Sequence, residues 1–239
     1  MSLILRSAVV TDVGLVRTNN EDTAHAGARV LAVADGIGGQ PAGELASDFV
    51  IKELAALEDG PDPADPVTAL REAIDRANRA IWEASAADPE ADGMGTTVVA
   101  MLLSGEDLAL LHVGDSRGYG LRDGTLARIT RDDTVVQALV DQGVLTDDQA
   151  RRHPQRAIVT QAVQGRDFVP TVALLEPVPG DRFLLCSDGL SDYVDDEAIG
   201  ATMIAHLDPQ PCAERLLKLA LEAGAPDNVT IVIADIVLP

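Results

Sequence analysis

The chain has 239 residues, 46% of them hydrophobic, which is enough for one well-buried domain and leaves disorder without support. Its 39 acidic residues against 18 basic ones give a net charge of −21. Such a surface repels nucleic acid and anionic lipid, and repels a phosphorylated substrate too unless a bound cation inverts the local sign. No apolar stretch approaches the ~20 residues of a membrane span. The opening MSLILRSAVVTD turns polar too soon for a secretory signal, and the two cysteines, Cys186 and Cys212, make no disulfide or metal framework. The reading is a cytosolic protein, or the cytosolic part of a longer membrane-anchored one.

In chain order, LILRSAVV (3–10) and RVLAVAD (29–35) read as strands on either side of the polar RTNNED (17–22). From Pro41 to about Leu57 apolar residues recur at helical spacing, through Leu45, Phe49, Leu54 and Leu57. The breaker cluster DGPDPADP (59–66) precedes a second helix from about Val67 to Ala86, with Leu70, Ile74, Ala77 and Ile81 on one face. The period then changes. TTVVAMLL (96–103), LALLHVG (108–114), GYGLRDG (118–124) and LARIT (126–130) read as a series of hairpins. Residues 133–153 read as helical, VPTVALLE (169–176) and RFLLCSD (182–188) as strands, 195–207 and 211–223 as helices, and NVTIVIADIVL (228–238) as a closing strand. Paired helices and antiparallel runs of strands predict a layered α+β domain, and no linker divides it.

Three strands end the same way: ADGIGG (34–39), VGDSRGYG (113–120) and CSDGLSD (186–192) each run from apolar residues into an aspartate and then small residues. GAPDNVTIV (224–232) runs the pattern in reverse, placing Asp227 just before a strand. Asp-Gly is ordinary turn chemistry. The alternative is that Asp35, Asp115, Asp188 and Asp227 meet at one edge of the core, where clustered carboxylates take up protons or a cation. An oxygen-only donor set suits Mg²⁺, Mn²⁺ or Ca²⁺ better than Zn²⁺. A nucleotide loop in GIGGQPAG (36–43) is disfavoured: the sixth position of the dinucleotide fingerprint is Pro41, and no lysine stands where a Walker A loop needs one. The D-x-D-x-D-G run of a calcium loop is absent as well.

GLVRTNNED (14–22), ADGIGG (34–39), GMGTT (93–97), VGDSRGY (113–119), CSDGLSD (186–192) and PDNVT (226–230) occur in the order found in the PP2C-like (PPM) metal-dependent serine/threonine phosphatases, and the chain resembles the bacterial branch of that family over essentially its whole length. The resemblance implies a four-layer αββα sandwich, two antiparallel sheets flanked by pairs of helices, in a single domain of residues 1–239 with a flap at about 132–165. It implies two Mn²⁺ or Mg²⁺ ions bridged by Asp35, one of them taking the Gly36 carbonyl and the other Asp188 and Asp227. Glu21 would hold a metal-bound water with Asp22 in support, Asp115 together with Asp188 would offer a third, weaker metal position, and Arg17 would grip the phosphate. The plainer alternative for Arg17 is an ordinary surface arginine, which the motif around it disfavours, and Asp192 could assist the metal shell or cap a turn.

One departure from the family pattern matters. Many eukaryotic members carry a histidine after the Asp-Gly pair as general acid; here Ile37 stands there and cannot donate a proton. Water or another residue must then serve, and His153, in the flap, is the candidate beside a plain His-Pro turn. The function implied is hydrolysis of phosphoserine and phosphothreonine in proteins, opposing Ser/Thr kinases, by a monomer. A catalytically inactive binding module of the same fold is the alternative.

Overall fold

The computed structural model describes residues 3–39, 42–88, 91 and 93–239. Two antiparallel sheets face each other. The first runs β1 (Ile4–Asp12), β11 (Val229–Val237), β10 (Arg182–Cys186), β7 (Arg117–Arg122) and β8 (Thr125–Arg128). The second runs β2 (Asp22–Ala26), β3 (Val30–Ile37), β5 (Val98–Ser104), β6 (Asp107–Val113) and β9 (Thr171–Leu175), with the two-residue β4 (Gly95–Thr96) paired to the end of β3. The α+β sandwich implied by the resemblance is the architecture found.

Three apolar layers hold it together. Helices α1 (Ala42–Ala55) and α2 (Pro66–Ala87) cover the outside of the second sheet through Val50, Leu54, Leu70, Ile74 and Ile81. Helices α6 (Asp196–Ala205) and α7 (Pro209–Glu222) cover the first through Ile199, Met203, Cys212 and Leu216. Between the sheets, Leu31, Val33, Val99, Met101, Leu185 and Val232 interdigitate. Strands buried on both faces read as continuous apolar runs, and VVAMLLS in β5 is buried at all seven positions. Helix α2 starts where it does because the Asp65 side chain accepts from the backbone N–H groups of Val67 and Thr68, with Pro66 in the first turn.

Three expectations need correction. The hairpin series is two hairpins in different sheets: β5–β6 belongs to the second and β7–β8 to the first, with Gly114–Ser116 carrying the chain across. The helix expected over 133–153 is two short ones, α3 (Val135–Asp141) and α4 (Asp147–Arg151). Gly143, at φ +71°, breaks the first, and a Thr146–Gln149 capping box starts the second. Strand β2, DTAHA, alternates only through the small Ala24 and Ala26, which pack on the inter-sheet core, and was not foreseen. A single-turn helix, α5 (Asp188–Ser191), follows β10 directly. The expected helix start at Pro41 lies outside the described residues. Among the described residues no helix is long and apolar enough to cross a membrane.

Candidate active site

The strand ends meet at one edge of the sandwich. Asp35 closes the apolar run of β3; Asp115 sits on the crossover from β6 to β7; Asp188 follows β10 as the first residue of α5; Asp227 precedes β11. The first is carried by the second sheet, the last two by the first sheet, and Asp115 by the link between them. All four line a pocket of about 230 Å³ with Arg17, Glu21, Gly36 and Ile37. Strand β2 adds Asp22, whose register partner in β3 is Asp35. Of the residues singled out from sequence, Arg17, Glu21, Asp35, Gly36, Asp115, Asp188 and Asp227 therefore stand together.

A hydrogen-bonded frame fixes them. Asp35 is clamped by two threonines: Thr96 Oγ1 donates to its carbonyl at 2.8 Å, the Thr97 N–H does so at 2.9 Å, and the Asp35 N–H reaches Thr97 Oγ1 at 3.2 Å. Thr97 Oγ1 in turn meets Ser116 Oγ at 2.7 Å, tying the Asp35 turn to the crossover that carries Asp115. Asn228 accepts from the Glu21 N–H at 2.8 Å and donates to the Val13 and Asn19 carbonyls at 3.0 and 2.8 Å, holding the Arg17–Glu21 segment against the start of β11. Ser187 Oγ donates to Asp22 Oδ2 at 2.7 Å and accepts from the Thr230 N–H at 3.0 Å. Gly36 and Gly43 are glycines for a steric reason. A Cβ on Gly36 would run into the Gly43 carbonyl of α1, and one on Gly43 into the Glu21 carboxylate; only glycine allows this approach.

Asn228 and Ser187 were not anticipated. Asn228 lies inside the quoted PDNVT and Ser187 inside CSDGLSD, but their roles depend on pairings about two hundred residues apart in sequence (|i−j| = 207 for Asn228 to Glu21, 165 for Ser187 to Asp22).

The electrostatics are those of crowded anions. Burial first, then the charges of Asp22, Asp188, Asp115 and Asp227, holds the Asp35 carboxyl well above the usual range. Asp188 is raised well above it by burial and by Asp115, Asp192, Asp227 and Asp22. Burial with Asp132 and Asp192 pushes Asp115 up to about 7, against the opposing pull of Arg117. Asp22 rises to about 6, again chiefly through burial, although the Ser187 hydroxyl works the other way. Asp22 Oδ1 is buried and has no hydrogen-bond donor. An orphan carboxylate oxygen among repelling carboxylates fits a cation as its missing partner. Among the described residues no three acidic, imidazole or thiol groups already stand together as a preformed metal cage.

Arg17 is half exposed, and its guanidinium pairs with Asp227 at 2.8 Å, which places the one cation among the described residues of the pocket lining against an acidic wall. Asp192 stands just behind, paired with Arg156 at 3.1 Å, and with Asp115 and Asp188 it lines a second, charged cavity of about 230 Å³. Ala157 and Val159 also line the main pocket. His153 is not part of its lining; its Nδ1 accepts from the Gln155 N–H at 3.2 Å, the local turn that was the plainer of its two readings.

A model of the protein phosphatase 2C family matches residues 17–222. Over 238 residues the chain is 50% identical to the serine/threonine protein phosphatase PstP of Mycobacterium tuberculosis, covering 99% of this chain and 46% of that protein, so it spans about half of that relative's length. It is 31% identical to the protein phosphatase PhpP of Streptococcus pneumoniae over 95% of this chain and 96% of that one. The crystal structure of the PstP catalytic domain in complex with two manganese ions superimposes with a TM-score of 0.94 at 48% identity, covering 99% of this chain and 100% of that one. The chain belongs to the protein phosphatase 2C family.

Proposed function

We propose that the chain hydrolyses phosphoserine and phosphothreonine in proteins, with Mn²⁺ or Mg²⁺ as cofactor. The observation that carries this is the convergence of Asp35, Asp115, Asp188 and Asp227 with Arg17 on one pocket of a highly acidic protein. Asp35 and the Gly36 carbonyl would hold one ion; Asp35, Asp188 and Asp227 the other; Asp115 with Asp188 a third, weaker one. When bound, such ions would supply a water of lowered pKa and neutralise charge on the phosphoryl oxygens. The protein's own part is positioning. Arg17, released from Asp227, offers a planar fork to the phosphate. Glu21, anchored through Asn228, and Asp22, anchored through Ser187, orient water around the ions. Ile37 lines the pocket and has no proton to donate, so the leaving oxygen takes its proton from water or from another residue.

The manganese-bound relative and the donor chemistry support the cofactor. Partners are phosphorylated proteins, among them Ser/Thr kinases and their substrates. The chain acts as a monomeric catalytic domain with its flap at about 132–165, in the cytosol, itself or as the cytosolic part of a longer membrane-anchored protein; its net charge and two unpaired cysteines support that reading.

The test is hydrolysis of a phosphothreonine peptide with Mn²⁺, with Mg²⁺ and with chelator, for wild type, Asp188→Ala and Arg17→Ala. Chelator and Asp188→Ala should each abolish turnover, and Arg17→Ala should mainly raise KM. A folded wild type that turns over with neither metal would leave the inactive binding module as the reading.

A further inference from the structure

We infer that the active site continues into a neutral groove that receives the residue flanking the phosphoserine or phosphothreonine, selecting uncharged side chains there over acidic ones; this rests on the phosphatase reading. The catalytic pocket shares two lining residues, Ile37 and Val159, with a smaller cavity of about 120 Å³ beside it. Gly95, Thr160, Gln161, Ala162 and Gln164 line the rest of it, and among the described residues none that lines it is ionisable. In a chain with 24% charged residues and a net charge of −21, an uncharged channel opening directly off a ring of carboxylates stands apart. Its volume is well below the roughly 300–1,000 Å³ of small-molecule sites, which suits a single side chain.

The groove is also fixed in place. Val163 and Thr96 exchange backbone hydrogen bonds at 2.9 and 3.0 Å, and Thr96 is the residue whose hydroxyl holds the Asp35 carbonyl. The wall that would read the flanking residue is thus stitched to the backbone of the central carboxylate, and a peptide seated there is placed relative to the reacting phosphate. The opposite extension of the pocket, past Asp115 and Asp188, has a different character. Each of its four arginines is already engaged: Arg117 and Arg128 with Asp132, Arg151 with Asp196, Arg156 with Asp192. It offers no spare cation to an acidic flank.

The experiment compares kcat/KM for phosphothreonine peptides that differ only in carrying Val, Asp or Lys at one position on either side of the phosphothreonine, with Mn²⁺ present. Aryl phosphate, which has no flank, is run in parallel. Wild type should favour Val over Asp at one of the two positions by about tenfold. Gln164 is exposed, so charge can be placed there without disturbing the core. Gln164→Lys should shrink the Val/Asp ratio at that position at least about fivefold, and Gln164→Asp should widen it while favouring Lys. Each ratio is taken within one enzyme, so a change in overall turnover cancels. Ratios in both variants that match wild type would overturn the groove, as would equal wild-type rates on all peptides. Failure to hydrolyse even aryl phosphate would overturn the phosphatase reading itself, and the groove with it.

Discussion

Asp115, with its carboxyl pushed up to about 7, and Asp22, raised to about 6, give the protein without a bound cation a defined response to pH. A carboxyl whose folded pKa lies above its unfolded value binds more protons in the native state between the two. Stability therefore falls as pH rises from about 4 through 7 and levels off above. Asp35 and Asp188, raised in the same direction, add to the trend. In chelator the melting temperature should be higher at pH 5 than at pH 7.5. Asp115→Asn should flatten that slope, and saturating Mn²⁺ should raise the pH 7.5 value most, because cation binding replaces the missing protons. An Asp115→Asn slope equal to wild type would show that general surface repulsion, not the pocket, sets the trend. At this scale much was legible. Asp35, Asp115 and Asp188 announce themselves as charges at the tips of apolar strands. Asp22 has no such signal, since it starts a short strand whose only apolar residues are alanines; the family resemblance pointed to it, and its register opposite Asp35 gives that a structural basis. Asn228 and Ser187 are silent in sequence because their partners are brought to them by sheet pairing.

The crossover from β6 to β7 is the element on which the site turns. Gly114 sits at φ +102°, its N–H donates to Asp133 Oδ2 at 3.0 Å and its carbonyl accepts from the Asp133 N–H at 2.7 Å. A Cβ there would lie 2.7 Å from Thr97 Cβ, against the threonine that clamps Asp35. Gly114→Ala should therefore destabilise by about 1–3 kcal/mol or more from backbone strain alone, and should also lower kcat by displacing Asp115. Gly124, at φ +73° with open space around it, separates the two effects: Gly124→Ala should lose stability by strain without loss of turnover. Urea midpoints and turnover numbers on the same samples decide it. Sequence placed the strands on both sides of Gly114 but joined them as consecutive hairpins, because short strands with Gly/Asp turns look alike whether the chain returns to the same sheet or steps to the facing one. Only inter-sheet packing distinguishes them. In the flap, apolar spacing alone suggested one helix over 133–153, and a positive-φ glycine and a capping box divided it in two. Where periodicity met strong burial the reading was firmer. Leu70 of α2 is fully buried, and Leu70→Ala should cost about 2–5 kcal/mol without changing KM, since the outer layer it packs is remote from the pocket lining.

The whole molecule carries a net charge of −21, and among the described residues its candidate site has a single arginine in its lining. Bound divalent ions reverse the sign only locally; beyond a Debye length of about 10 Å at 0.1 M salt the approaching peptide meets the acidic surface. Salt should then act in opposite directions on two substrates. For a phosphothreonine peptide with acidic residues five or more positions from the phosphate, raising NaCl from about 20 to about 300 mM should increase kcat/KM several-fold by screening repulsion. For the same peptide with lysines at those remote positions it should fall, as steering is lost. Because the substituted positions lie beyond the groove beside Ile37, the two effects separate: selectivity arising in the groove persists at high salt, whereas selectivity arising from the global field collapses toward unity. Parallel salt curves for the acidic and basic peptides would mean that the surface charge has no part in choosing substrates and serves solubility alone.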